Sequence, residues 1–202
     1  WLVQTPHSFL PPNPFDRNMR PHRGIPGENE MFYGAIQQGL DRWNASFFCG
    51  SAAVLRRWAI ADAGGFQGRS ITEDAETSIE MHARGWRSAY VSEPLIAGLQ
   101  PDTVSSYIGQ RQRWLKGMLQ IFIWRNPLLT KGLTTPQRIS YLAIQTYWLF
   151  PLARAIFILA PLWFLLSGQV FYLATPEEFI AYTLPFLLAG LLVARLLLGG
   201  AD

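Results

Sequence analysis

Short apolar runs separated by turn residues fill the first half of the chain, whereas the second half is apolar over much longer stretches. WLVQT at Trp1–Thr5 has strand character, and the proline-dense stretch Thr5 to Gly27 predicts an irregular excursion. Glu28 to Trp43 predicts a helix in which Phe32, Ile36 and Leu40 share a face at i, i+4, i+8. Phe47 to Cys49 is a short apolar strand that turns at Gly50-Ser51. A helix from about Arg57 ends at Gly64-Gly65, and one from about Glu73 to Arg84 ends at Gly85, the position past a helix C-terminus where glycine is favoured. SAYVSE follows as a strand. Helices alternating with short strands predict an α/β domain over residues 1–103.

Val104 to Trp124 predicts one long helix, N-capped by Asp102 or Thr103. It mixes Arg111, Arg113 and Lys116 with Trp114, Leu115, Met118, Leu119, Ile121 and Phe122, which suits a helix lying at a bilayer interface, so residues 104–138 form an amphipathic interfacial region. Two apolar segments follow within residues 139–202. Tyr141–Ser167 spans 27 residues and Phe179–Leu198 spans 20, each with one charge. About 20 apolar residues cross a hydrocarbon core, so both are transmembrane candidates.

Charge sets an orientation. Arg125, Lys131 and Arg138 precede the first segment, while the connection Gly168 to Glu178 has no Lys or Arg, which places the α/β domain on the cytoplasmic side. Half of the 202 residues are hydrophobic and the net charge is only +3, which argues for a membrane surface as partner and against nucleic acid. A single cysteine, Cys49, excludes an internal disulfide, and three scattered histidines give no zinc motif, so any metal would need oxygen ligands. A start at Trp1 without Met, in a strand-like run, is expected of an internal piece of a longer polypeptide.

Three constellations could carry chemistry. In SITEDAETSIEMHARGW, Thr72 as N-cap would satisfy an orphan N–H with its hydroxyl, and Asp74 in the first turn would be held ionised by the helix dipole. A second frame caps at Ser70 with Glu73 as its capping-box partner. Locally, a capped helix with a solvated acidic face and a carboxylate that accepts a proton fit equally. In QRQRW, Arg113 offers a planar fork for phosphate and Trp114 a flat face for a sugar ring, although snorkelling at an interface needs the same residues. Phe32, Tyr33, Phe47 and Phe48 with Cys49 form a core or line a polysaccharide path, and His7 is a surface histidine in its loop.

TED, followed 36 residues after its Asp by QxxRW as Gln110, Arg113 and Trp114, with apolar segments behind, resembles the processive family 2 glycosyltransferases. TPHSFLPPNPFDRN, ENEMFYG, GLDRWNASFFCGSAAVLRR, AGGF and AGLQPDT are most similar to the cellulose-making branch of that family. The resemblance implies the C-terminal part of a GT-A domain followed by two membrane helices of a bacterial inner-membrane protein. It implies transfer of glucose from UDP-glucose to a growing β-1,4-glucan, coupled to export. Carried onto this sequence, Asp74 is the base that activates the acceptor hydroxyl, with Thr72 and Glu73 completing its motif and His7 of TPHSF as a further motif residue. Gln110 and Arg113 hold the donor diphosphate, Trp114 stacks on the terminal sugar, and Cys49, Tyr33, Phe32 and Phe47 line the acceptor end of the glucan path. Glu76 and Glu80 remain on the solvated face.

The family's uridine-contacting aspartate and its DxD pair for Mg²⁺ have no match here and are expected upstream, so this stretch alone is expected to be inactive. A periplasmic subunit and control by cyclic-di-GMP through a further domain follow from the same resemblance. A chitin- or hyaluronan-like synthase and a non-catalytic secretion component are the alternative readings.

Overall fold

At the start of the chain Leu2 and Gln4 face inward and Val3 outward, the period-two alternation of a strand, in β1 (Leu2–Gln4). The computed structural model describes residues 1–19, 27–169 and 173–198. β1 pairs antiparallel with β3 (Ala53–Leu55) and parallel with β4 (Ser88–Tyr90), giving the order β3-β1-β4. A second, two-stranded parallel sheet joins β2 (His7–Phe9) to β5 (Ile96–Gly98).

The predicted irregular excursion therefore contains structure. Besides β2 it holds α1 (Pro14–Met19), whose first turn is capped by Asn13: its Oδ1 accepts from the N–H groups of Phe15 and Asp16, each at 2.9 Å. Asn as cap and Pro14 as first helical residue are a helix start in the sequence itself. The rest of the excursion, residues 20–26, lies outside the described residues.

The helix after it is not uniform. α2 (Glu28–Met31) passes through a π-turn (Phe32–Ile36) into α3 (Gln37–Arg42). An extra residue per turn rotates the later positions, so the buried side chains are Tyr33, Gln37 and Leu40, and Ile36 is exposed. Phe47–Cys49 forms no strand: the Phe48 N–H donates to Ser78 Oγ (2.9 Å) and the Cys49 N–H to Gln4 Oε1 (3.0 Å). With these donors taken by side chains, no ladder forms, and pairing resumes at β3 after the left-handed Gly50 and Ala52. α4 (Arg57–Asp62) ends before Gly64 and Gly65, both at positive φ, as expected.

α5 (Glu73–Ala83) is the centre of the packing. One side gives Ala75 and Ile79 to a core with Leu40, Phe47, Met118, Ile121 and Tyr141, and another gives Met81 to a core with Trp1, Leu2, Ala59 and Ile60. Ile79 and Ile121 are each 1% exposed, and burial of one such side chain contributes about 1.5–3 kcal/mol. The predicted solvated acidic face is absent. Glu76 is buried and accepts the Ser70 N–H at 2.7 Å; Glu80 is half-buried and pairs with both Arg84 and Arg125. Buried Thr77 accepts the Gln67 N–H at 2.9 Å. His82 lies between Tyr141 Oη (2.7 Å) and Ser88 Oγ (2.9 Å), and burial pushes its imidazole down to about 3, so it is neutral.

α6 (Val104–Trp124) starts at Thr103, whose hydroxyl accepts the Ser106 N–H at 3.2 Å. α7 (Thr135–Tyr147) carries Tyr141 and Gln145 into the core. The 27-residue apolar run is consequently two helices, α7 and α8 (Phe150–Ser167), rather than one span from Tyr141. Pro151 in the first turn of α8 has no N–H to continue the preceding helix. The chain divides into two units at this break, Trp1–Trp148 and Leu149–Asp202.

Among the described residues one helix, α8, is long and apolar enough to cross a membrane, with a mean hydropathy of 1.8. α9 (Pro176–Leu198) also belongs to the second unit. Residues 170–172 of the connection between them lie outside the described residues.

Tyr141→Phe removes a partner from buried His82, and an unsatisfied buried polar atom costs about 1–3 kcal/mol. A lower urea midpoint with unchanged slope is the expected result; an unchanged midpoint would sink the assigned role.

Candidate active site

Asp74 stands in the first turn of α5, one residue after Glu73 and two after the N-cap Thr72. Thr72 occupies the cap position, but its hydroxyl makes no capping bond and is buried without a partner among the described residues. The alternative frame fails as well, because the Ser70 N–H is bound by Glu76 rather than Ser70 capping with Glu73. Glu73 is exposed.

Asp74 Oδ1 accepts the Ala75 N–H at 2.8 Å. Its Oδ2 makes no hydrogen bond among the described residues and faces Gly50, where a Cβ would approach to 3.2 Å. Gly50 has φ +76°, a left-handed conformation in which a side chain is strained, and the absence of a Cβ leaves room for the close approach of Oδ2. Burial is the largest influence on this carboxyl and outweighs the Ala75 bond; with the neighbouring Glu73 charge it raises Asp74 to about 6. The helix start therefore does not hold Asp74 at an ordinary carboxylate value: desolvation wins. It is still mainly ionised at pH 7.

Beside it the loop before β3 is fixed by buried amides that sequence reasoning missed. Gln4 Nε2 donates to Ser51 O (2.9 Å) and Ala52 O (3.1 Å) while its Oε1 takes the Cys49 N–H. Gln37 Nε2 donates to Cys49 Sγ (3.1 Å) and its Oε1 accepts from Ser46 (2.8 Å). The available signal was a glutamine at an inward strand position and another in an apolar helical stretch.

Burial, reinforced by nearby Asp74, pushes the Cys49 thiol far up, so it stays protonated. Tyr33 is likewise raised by burial, and its carbonyl accepts the Tyr90 hydroxyl at 2.6 Å. Phe32 meets Tyr33 and Phe47 edge-on, at 5.0 and 6.0 Å between centroids. His7 is half-buried and engaged rather than a free surface histidine. It stacks on Phe9 at 4.3 Å, bonds Ser51 Oγ through Nδ1 at 2.8 Å, and buries an Nε2 that has no partner among the described residues beside a cavity of about 490 Å³ that Tyr33 also lines.

Gln110, Arg113 and Trp114 share one face of α6 at i, i+3, i+4. α6 runs against the turn before α5: a Cβ on Gly117 would sit 2.5 Å from Thr72 Oγ1, and Gln120 Oε1 accepts the Ile71 N–H at 3.0 Å. This crossing brings the two motifs onto neighbouring turns, although no side-chain contact joins Asp74 to Gln110, Arg113 or Trp114 among the described residues. Arg113 is exposed and has no partner among the described residues. Trp114 meets Trp148 edge-on at 6.2 Å.

Among the described residues no three His, Cys, Asp or Glu side chains converge on a metal site. What the arrangement can do is take a proton from a hydroxyl at Asp74 Oδ2 and present an exposed cation, Arg113, on the adjoining helix.

The TED turn at the start of α5 and the QxxRW face of α6 thus stand on one mixed helix-and-sheet scaffold, and the chain belongs to glycosyl transferase family group 2, whose model matches residues 12–198. It is 47% identical over 91% of its length to the UDP-forming cellulose synthase catalytic subunit of Komagataeibacter sucrofermentans. It is 44% identical over 92% of its length to the corresponding subunit of Pseudomonas fluorescens, and 46% identical over 91% to cellulose synthase 2 of Novacetimonas hansenii. The chain spans 24%, 25% and 12% of those relatives respectively.

The raised Asp74 value has a consequence for stability. Because the folded state holds this proton more tightly than an ordinary Asp at 3.8, the associated stabilisation is full below pH 3.8 and is lost as pH rises through about 6. Asp74→Asn is expected to raise the melting temperature above that of the parent at pH 8, with the difference vanishing near pH 3.5. A lower melting temperature for the variant at pH 8 would contradict the assignment.

Proposed function

We propose that this chain is the base-bearing, acceptor-binding part of an inverting, processive transferase that passes glucose from UDP-glucose to the non-reducing end of a β-1,4-glucan. The observation that carries the reading is the position of Asp74, raised to about 6 by burial, with one oxygen unengaged beside Gly50, Cys49 and Tyr33. The relatives' names supply the sugar and the nucleotide.

In this reading the acceptor 4-hydroxyl oxygen attacks the anomeric carbon, Asp74 Oδ2 takes its proton, and UDP leaves with the electron pair of the broken bond. Arg113 and Gln110 compensate the charge that develops on the diphosphate, and Trp114 stacks on the terminal sugar. Phe32, Tyr33, Phe47 and Cys49 line the acceptor path, and His7 borders it. The divalent cation that such transferases generally use is held by residues outside this chain. α8 and α9 cross the bacterial inner membrane, α6 lies at its cytoplasmic face, and the glucan is exported as it grows. The relatives are cellulose synthases, so chitin- and hyaluronan-like products have less support.

In the full-length polypeptide carrying this segment, supplied with UDP-glucose and Mg²⁺, Asp74→Asn is expected to lower polymer synthesis by about 10²–10⁴-fold. UDP binding should be little changed. For the parent, kcat/KM should rise with pH through about 6, since the base acts only when ionised. Synthesis at the parental rate in Asp74→Asn would refute the base.

Trp114→Ala should slow chain growth more than it weakens UDP binding. Normal elongation by that variant would rule out acceptor stacking.

A further inference from the structure

Arg111 has no part in the QxxRW reading, yet its guanidinium is held on several sides. Its Nη2 pairs with Glu28 Oε2 at 2.5 Å, and its Nη1 donates to Gln110 Oε1 at 2.8 Å. Its guanidinium lies 4.3 Å from the Tyr107 ring centroid and 4.4 Å from that of Trp114. The Tyr107 hydroxyl donates to the same Glu28 oxygen at 2.8 Å. α2 is thereby tied to α6 at the motif, and the pair is largely shielded, with side-chain exposures of 17% for Arg111 and 33% for Glu28.

Chemistry fixes what this does to Gln110. A guanidinium only donates, so the amide atom facing Arg111 must be the oxygen, and the amide nitrogen with its two protons is turned away from it. A neutral side chain that could present either end is held as a donor, the end that suits an anion. The same guanidinium lies over the Trp114 indole, which limits its rotation against Trp148.

We propose that Glu28 and Arg111 are positioning residues: anchored by Glu28, Arg111 orients Gln110 as a donor toward the diphosphate and fixes the Trp114 ring. The inference rests on the reading of Gln110 and Arg113 as diphosphate ligands. Lysine at position 111 keeps the charge and can pair with Glu28, but one ammonium cannot also lie between two rings and donate to Gln110. A merely structural ion pair would tolerate that exchange.

The test measures UDP affinity by calorimetry on the full-length protein, with melting temperature as a check on folding. Arg111→Lys should weaken UDP binding by about tenfold, the cost of losing a good polar contact to an anion. It should leave the melting temperature near the parental value and add nothing in a Gln110→Ala background, because the effect passes through Gln110. Glu28→Gln should weaken UDP binding despite the added positive charge. Parental affinity in Arg111→Lys, an additive effect in Gln110→Ala, or tighter binding in Glu28→Gln would each overturn the proposal. Arg113→Gln and Gln110→Ala separate the two levels. If both retain parental affinity, the diphosphate reading falls and the positioning role with it; if both lose affinity while Arg111→Lys does not, the positioning role falls alone.

Discussion

The burial of α5 on both of its sides is the constraint from which the rest of the first unit follows. Ala75 and Ile79 serve one apolar core and Met81 the other, so the helix cannot present the polar face that a surface helix needs. Its polar side chains are consequently inside and must be matched. Glu76, Thr77, Ser78 and His82 do this by binding Ser70, Gln67, Phe48, and the pair Tyr141 and Ser88. These bonds tie the loop before α5, the loop before β3, β4 and α7 to the helix that carries Asp74, and each would cost about 1–3 kcal/mol if left unmade.

The same burial governs the chemistry of the base. An acid in a first helical turn has the dipole in its favour, but a carboxylate drawn out of water is penalised more heavily, and Asp74 ends near 6. That value keeps it ionised at neutral pH while making it a stronger proton acceptor than an ordinary aspartate. Cys49 and Tyr33, neutral for the same reason, add hydrogen-bonding capacity without competing for the proton.

On α6 the two arginines of QRQRW divide the work. Arg111 is spent inside the protein, between Glu28 and two rings, while Arg113 reaches the surface without a partner among the described residues. An i, i+2 spacing points side chains to different sides of a helix, so neighbours of the same type meet different surroundings. Gly117 completes the arrangement by letting α6 approach the backbone of Thr72.

Sequence by itself determined the elements whose signals are local: the helix from Glu73 stopped by Gly85, the helix from Thr103, the turn at Gly64-Gly65, and the apolar character of α8. The order and spacing of TED and QxxRW also pointed to the family that the chain proved to belong to. Tertiary structure alone decided what depends on distant partners. The pairing of β2 with β5, the withdrawal of Glu76 from solvent and the coupling of Arg111 to Glu28 each join residues whose relation has no local period. The π-turn at Phe32–Ile36 shifted a face that a regular helical period had placed elsewhere, because one added residue rotates everything after it, and the break before Pro151 divided a run that its apolar composition had made one span. The value of Asp74 belongs to the same class: a carboxyl's affinity for its proton is set by how much water the surrounding fold removes, and that is a property of packing.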